Sequence, residues 1–392
     1  MSTEQNALWT KNFIFFSTSA LLMNIGVQFL VPILPLYAMN SLGATESQIG
    51  YLLGLYSFAA LLARPLAGHL YDSMNRKNTY IFSMIIFGLL FIMYPMVSTF
   101  IMLIILRILH GVFFSFTTTG AATNISDILS SDRRTEGIGY FGLTNTLAMA
   151  LGPAIALWII SKQDFFVLFI TGTLIVGGAY ILSRFVKFPS VNLSKKSLTL
   201  KSMFEPRVFS VSLIILLFGV VLGSIFSFIL LFSENELQLG GGQFFLLYAT
   251  GVFVLRLSTT KMLKTRGPIP IVITGFTIQF TGLILLSITQ NLVLFLFSAL
   301  LLGMANGAIM PTLQAMTMNM VNHQKRGVAN ATFFAAVDIG IGGGSIVLGW
   351  IVSITSLRTM FLITGILNIL PLVLFLTFVI KDYHKKISEI SY

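Results

Sequence analysis

The 392-residue chain contains no cysteine, only four histidines and few charged residues, which make up 9% of the sequence. The lack of cysteine excludes disulfides, thiol catalysis and thiolate-bound metals, and the histidines show no metal-site spacing. We therefore expect no cofactor and no metal. In contrast, 56% of the residues are hydrophobic and the mean hydropathy is +0.90. A chain with so little polar surface is predicted to be solvated by lipid.

Long apolar runs dominate the sequence. A helix that crosses a bilayer needs about 20 mostly apolar residues, and roughly twelve such runs are present. Because the runs are continuously apolar, they predict helices and not the alternating strands of a barrel. The predicted spans are 13–38, 48–70, 78–98, 100–122, 137–161 and 165–187 in the first half, and 208–232, 243–263, 268–289, 291–317, 328–353 and 358–380 in the second.

An internal repeat organises these helices. A shift of 192 residues superposes identical residues that lie at the same place within their helices. The matched pairs are Tyr56 and Tyr248, Arg64 and Arg256, Gly111 and Gly303, Arg134 and Arg326, Phe141 and Phe333, Gly152 and Gly344, and Trp158 and Trp350. We predict two six-helix bundles, 1–187 and 208–392, joined by a cytoplasmic linker over 188–207. Such repeats are related by a pseudo-twofold axis along the membrane normal and hold a binding site at midplane.

The positive charge has a one-sided distribution along the chain. The net charge is +11, and when the N-terminus is placed inside, nearly all of the 24 Lys and Arg fall at cytoplasmic loops or helix ends. Lys162 and Arg358 lie in the opposite loops. The positive-inside rule explains this asymmetry, so no nucleic-acid partner is needed. We expect a multi-pass protein of a bacterial cell membrane with both termini in the cytoplasm.

The end of the second helix carries a recognisable motif. From Gly68 the chain reads GHLYDSMNRK, which resembles the cytoplasmic signature of the major facilitator superfamily, G-x-x-x-D-x-x-G-[RK]-[RK]. The resemblance implies a gate formed by Gly68, Asp72 and Arg76 together with Asp127 at the inner end of helix four. Asn75 replaces the usual glycine, and asparagine tolerates a left-handed backbone. An ordinary salt bridge between helix ends is the alternative interpretation.

Helix four contains Arg107-Ile-Leu-His110-Gly111, which resembles the R-x-x-Q-G motif of the superfamily. A guanidinium at bilayer depth costs at least about 2.5–3.5 kcal/mol, so Arg107 should face water or an anionic partner. The i, i+3 spacing places Arg107 and His110 on one helix face, where His110 is a candidate for proton transfer. A hydrogen-bonded core histidine and a structural arginine are the alternatives.

Helix five carries Gly139, Ala148, Gly152-Pro153 and Ala156, which resemble the antiporter motif G-x8-G-x3-G-P-x2-G. Small residues allow helices to pack closely, and the proline supplies a bend at which the helix can rock. Gly152 and Pro153 are therefore candidate gating residues. Simple packing is the alternative.

Asp338 is the one acidic residue predicted well inside a helix, within Asp338-Ile-Gly-Ile-Gly-Gly-Gly. An acid in a membrane helix is a candidate functional site because it can take up and release protons. Resembling families of proton-driven exporters often carry Asp-x-Gly here, and in many members it packs and gates. We predict proton coupling through Asp338, together with Arg107 and His110.

In the superfamily, helices one, four, seven and ten line the cavity. Polar residues at suitable positions are Asn24, Gln28, Arg107, Ser227, Asn306 and Gln314, which are candidates for substrate binding. Hydrogen bonding between helices, without solute contact, is the alternative for each.

The resemblance covers essentially the whole chain and points to the drug:proton antiporter branch, whose bacterial members export drugs, sugars and opine-type metallophores. It is carried by Leu42-Gly43-Ala44, Gln48-Ile49-Gly50, Arg64-Pro65-Leu66-Ala67-Gly68, Gly303 to Pro311-Thr312, and Asp338-Ile-Gly340. It implies an all-α fold of twelve transmembrane helices and a monomeric, non-enzymatic exporter that exchanges a small organic solute for protons. A symporter or importer on the same fold is the alternative. A membrane-embedded transferase is disfavoured because no loop carries a catalytic cluster, and a channel because no filter-like loop is visible.

Overall fold

The computed structural model describes residues 8–130, 133–189, 204–239, 241–322 and 325–389, and every regular element in this part is helical. Eleven of its helices are long and apolar enough to cross a membrane. The helix Gly242–Arg266 occupies the remaining predicted position and carries Arg256, Lys261, Lys264 and Arg266 in its second half. The prediction of an all-α membrane fold is confirmed.

The first six helices follow the predicted order and extend past the apolar runs at several ends. They are α1 Lys11–Leu42, α2 Glu46–Ser73, α3 Arg76–Met93, α4 Phe100–Ile128, α5 Arg134–Ile160 and α6 Phe165–Arg184. Side chains of Asn75, Thr99 and Asp164 cap the N-termini of α3, α4 and α6. Asn75 has φ −60° and an extended backbone, so its role is that of an N-cap and the left-handed turn considered from the sequence is not formed.

The second set comprises α7 Phe209–Leu237, α8 Gly242–Arg266, α9 Pro268–Ile288, α10 Leu292–Asn319 and α11 Arg326–Ile354. The last span, Leu357–Ser388, is built from α12 Leu357–Leu367, α13 Ile369–Leu374, a π-helical segment Phe375–Val379 and α14 Ile380–Ser388. Asn291 and Ser356 cap α10 and α12.

The chain divides into two compact units. The first contains residues 1–42 and 59–198, and the second contains 43–58 and 199–392. The division after residue 198 falls within the predicted linker, while the first part of α2 belongs to the second unit. There a Cβ added at Gly349 of α11 would lie 3.2 Å from the Ser47 carbonyl oxygen. The assignment of 1–187 and 208–392 as separately moving bundles stays a prediction.

The helices pack by the same scheme in each unit. In the first, α1 packs on α5 and α6, and α3 packs on α4 and α6. In the second, α7 packs on α11 and α12, and α9 packs on α10 and α12. These helices of the two units therefore have corresponding neighbours, as the internal repeat requires, and α8 also packs on α10.

Two helix seams show the repeat at the level of single contacts. A Cβ added at Gly152 of α5 would lie 2.7 Å from the Gln28 Cβ of α1, and one added at Gly344 of α11 would lie 2.7 Å from the Val220 Cα of α7. Both members of the second contact follow those of the first by the 192-residue shift. We call these contacts the α1–α5 seam and the α7–α11 seam.

Candidate functional site

A buried polar cluster lies in the first unit, where α4 meets the turn after α3. Arg107 is 4% exposed and His110 is 1% exposed. The Tyr94 hydroxyl and His110 Nδ1 share a hydrogen bond of 2.8 Å, and the Arg107 guanidinium also interacts with this hydroxyl. We call Tyr94, Arg107 and His110 the polar cluster. It joins a fixed positive charge to a group that can accept and donate protons.

Aromatic rings enclose the imidazole of His110. Its ring centroid lies 4.3 Å from that of Phe87 and 4.9 Å from that of Phe91, both on α3. The second ring nitrogen, Nε2, is buried and has no hydrogen-bond partner among the described residues. One nitrogen is thus held by Tyr94 while the other remains able to bond a water or solute that reaches it.

Asp338 lies near the middle of α11, and its side chain is half-buried. Around Asp338, α11 packs closely on α7. A Cβ added at Gly219 would lie 2.9 Å from the Val337 carbonyl oxygen, and a Cβ added at Gly340 would clash with the Leu216 carbonyl oxygen. The Asp-x-Gly pattern therefore combines a titratable side chain with a glycine at a point of close backbone approach.

The structure brings two of the predicted gating residues together. Arg76 Nη1 lies 2.5 Å from Asp127 Oδ2, with both side chains about one fifth exposed, at 19% and 20%. Arg76 Nε also donates to the Tyr71 carbonyl oxygen at 3.1 Å. These bonds tie the start of α3 to the ends of α2 and α4.

The remaining gating candidates differ from one another. A Cβ added at Gly68 would meet no described atom within 4 Å, so no helix packs closely on it. The Asp72 side chain and the surroundings of Gly139 lie outside the described part of the structure. In α5, Pro153 is buried beside Gly152 without interrupting the helix, and the small residues Ala148 and Ala156 are fully buried.

The substrate-binding candidates of the second unit all bond to neighbouring helices. Ser227 Oγ lies 3.1 Å from Ser345 Oγ, Asn306 Nδ2 donates to the Tyr248 hydroxyl at 2.7 Å, and Gln314 Nε2 donates to Asn330 Oδ1 at 2.9 Å. These contacts match the alternative weighed for them, in which polar side chains connect helices. In this structure, three of the six substrate-binding candidates are therefore engaged in hydrogen bonds between helices.

The candidates on α1 are different. Asn24 and Gln28 lie one turn apart, their side chains are half-buried, and no described residue forms a side-chain hydrogen bond with either. Gln28 also forms the α1–α5 seam with Gly152. Two amide groups that have no partner among the described residues are suited to bond a polar solute.

Sequence reasoning missed Tyr94 and Tyr248. Each is a tyrosine whose hydroxyl bonds a candidate residue on the neighbouring helix, His110 and Asn306 respectively. Polar groups inside a membrane have few possible hydrogen-bond partners. Tyrosines at a similar depth are therefore the residues in which a partner for His110 or Asn306 can be sought from the sequence. The sequence identifies Tyr248 only as a member of the internal repeat.

Comparisons with known proteins agree with this architecture. The model of the Major Facilitator Superfamily matches residues 16–287 and, in a second match, 244–391. The chain belongs to this superfamily of transporters. It is 26% identical over 360 residues to an uncharacterised MFS-type transporter of Methanocaldococcus jannaschii, covering 88% of this chain and 92% of that protein.

A second relative has a named activity. The chain is 23% identical over 389 residues to the staphylopine export protein of Staphylococcus aureus, covering 94% of each. Among solved structures, a bacterial homologue of the human lysosomal transporter Spinster, in an inward-facing and unoccupied conformation, superposes with a TM-score of 0.78 at 15% identity, covering 96% of this chain and 98% of that one. This likeness shows the fold.

Proposed function

We propose that this transporter exports a small organic solute in exchange for protons, by alternating access between its two bundles. The observation that carries the proposal is Asp338, a titratable group at mid-span in α11 beside the close approach of α11 to α7. A change in its charge acts where two helices touch, so protonation can alter their packing. Proton binding and helix movement are thereby linked at one place.

The roles of the other residues follow from their contacts. Arg107 and His110, with Tyr94, form a second site for protons or for an anionic group of the solute. Asn24 and Gln28 supply polar contacts to the solute, while Ser227, Asn306 and Gln314 must first exchange their bonds between helices.

Gating is assigned to two further sets of residues. Gly68, Asp72, Arg76 and Asp127 act at the inner ends of α2, α3 and α4, where the Arg76–Asp127 pair is formed. Gly152 and Pro153 act in the α1–α5 seam. The proposal places both termini in the cytoplasm of a bacterial cell and takes a monomer as the working unit.

Export is favoured over import by the small-residue pattern of α5 and by the staphylopine export relative, whose match covers 94% of each protein. A symporter that imports a solute with protons is the second candidate, because the same fold and the same acid can serve either direction. Imposed gradients distinguish the two.

The test uses purified protein in proteoliposomes with an entrapped pH-sensitive dye and a panel of organic solutes, beginning with staphylopine. An exporter moves protons against the direction of solute movement, and Asp338→Asn is expected to abolish uphill transport while solute exchange without a gradient persists. Asp164→Asn is the matched control, because Asp164 caps α6 and asparagine caps a helix equally well. Wild-type uphill transport by Asp338→Asn would refute the coupling role, and co-movement of protons and solute would favour the symporter.

A further inference from the structure

The C-terminal helix α14 is fixed to the second unit by one of its faces. The Ser210 hydroxyl donates to Asp382 Oδ2 at 2.5 Å, and Lys386 Nζ donates to Asp382 Oδ2 and to the Arg207 carbonyl oxygen, each at 2.6 Å. Arg207 Nη2 lies 2.8 Å from Glu389 Oε2. The helix is therefore attached to the start of α7, and its orientation is defined.

The opposite face of α14 is basic. Lys381, His384 and Lys385 are exposed and stand at i, i+3 and i+4, which places them side by side. None of them forms an ion pair with a described residue, and Asp382, the acid nearest in sequence, is engaged by Ser210 and Lys386. We call Lys381, His384 and Lys385 the basic face.

The basic face continues an exposed apolar surface of the same span. Val373, Leu376 and Phe378 are 46%, 47% and 53% exposed, and the first basic residue follows three positions after Phe378. In a membrane-spanning helix, exposed apolar side chains contact the acyl chains, and the next turn reaches the headgroups. The basic face thus lies at the depth where lipid phosphates are found.

We propose that the basic face of α14 binds the phosphate headgroups of anionic lipids in the leaflet next to the C-terminus. Charge complementarity and the position directly below an acyl-chain surface identify a lipid as the occupant. Asp382 and Lys386 on the other face bond Ser210 and Arg207 at the start of α7. A lipid bound to α14 in this position therefore stabilises the attachment of α14 to the second unit. The proposal does not depend on the solute or on proton coupling.

The test measures binding of phosphatidylglycerol and phosphatidylcholine to the full-length protein in detergent, by native mass spectrometry and by thermal stabilisation. Wild type is expected to retain phosphatidylglycerol preferentially, with weaker retention at high salt. Each lysine near anionic lipid contributes roughly five-fold in affinity, so Lys381→Gln with Lys385→Gln should weaken binding by about 30-fold. Lys381→Arg with Lys385→Arg keeps both charges and should bind phosphatidylglycerol as wild type does.

Lys11→Gln with Arg266→Gln is the matched control, because it removes two exposed basic residues from the predicted cytoplasmic ends of α1 and α8. It should leave preferential binding intact. Should the glutamine pair fail to fold, each single variant carries the same test with a loss of about five-fold. Equal retention of both lipids by wild type would overturn the proposal in favour of an acidic protein or a second copy as occupant. Equal losses in both double variants would also overturn it, because they would show a general effect of positive charge.

Discussion

The two units place different residues at equivalent positions of one helical plan. In the first unit, the polar cluster is buried between α3 and α4. The 192-residue shift leads to positions in the second unit that are apolar and at most 1% exposed. The replacements are Leu286 for Tyr94, Ala299 for Arg107 and Leu302 for His110.

This difference distinguishes the residues that the fold requires from the polar residues that it does not require. Leucine and alanine fill these positions in the second unit, so the helical plan is stable without polar groups there. A buried arginine in a membrane helix costs free energy that apolar side chains do not. This cost is the reason for including the polar cluster in the proposed transport mechanism. In the reverse direction, Asp338 of the second unit corresponds to Thr146 of the first. Each unit thus contributes a different titratable group.

The difference between the two units is tested most directly by placing the residues of the second unit at the equivalent positions of the first. We expect Arg107→Ala with His110→Leu to fold with unchanged or higher thermal stability, because the change removes a buried charge. Transport should fall by about 10- to 150-fold, the equivalent of a charged hydrogen bond worth about 1.5–3 kcal/mol. Thermal unfolding and initial transport rates in proteoliposomes measure the two effects.

Tyr94→Phe is the finer control, because it removes only the hydroxyl that bonds His110. Its effect on transport should be smaller than that of the double variant. A double variant that unfolds while Tyr94→Phe transports normally would assign the polar cluster a structural role.

The two seams give a second contrast. Gly340, one turn before Gly344 of the α7–α11 seam, corresponds to Ala148 of α5, which is fully buried. The first unit thus accommodates a methyl group where the second has backbone against backbone. We expect Gly340→Ala to lower the free energy of unfolding by about 1–3 kcal/mol, because the added Cβ meets the Leu216 carbonyl oxygen.

The reciprocal change, Ala148→Gly, should cost about 0.5–1 kcal/mol, because glycine has more conformational freedom in the unfolded chain. Denaturant or thermal unfolding in one detergent compares the two variants. Equal stabilities for Gly340→Ala and wild type would show that α7 and α11 are less tightly packed than the structure indicates.

Much of this fold is predictable because its causes are local or repeated. Apolar runs of bilayer length predict the spans, and the shift that matched Gly152 with Gly344 also leads to their partners Gln28 and Val220. The hydrogen bonds of the site are not predictable in this way. The bond between His110 and Tyr94 depends on how the turn after α3 meets α4, and the sequence pattern leaves that angle undetermined.

The smallest expected effect concerns Gly68, which contrasts with Gly340 under the same substitution. Both lie inside helices, but a Cβ at Gly68 meets no described atom within 4 Å. Alanine is a better helix former than glycine by about 0.5–1 kcal/mol, so Gly68→Ala should stabilise the protein by about that amount. If Gly68 acts in gating, the methyl group obstructs a helix contact made only in another state, and transport slows while thermal stability rises. Unfolding and transport measured on the same preparation separate these effects, since a gain in stability with an unchanged rate would remove Gly68 from the gate.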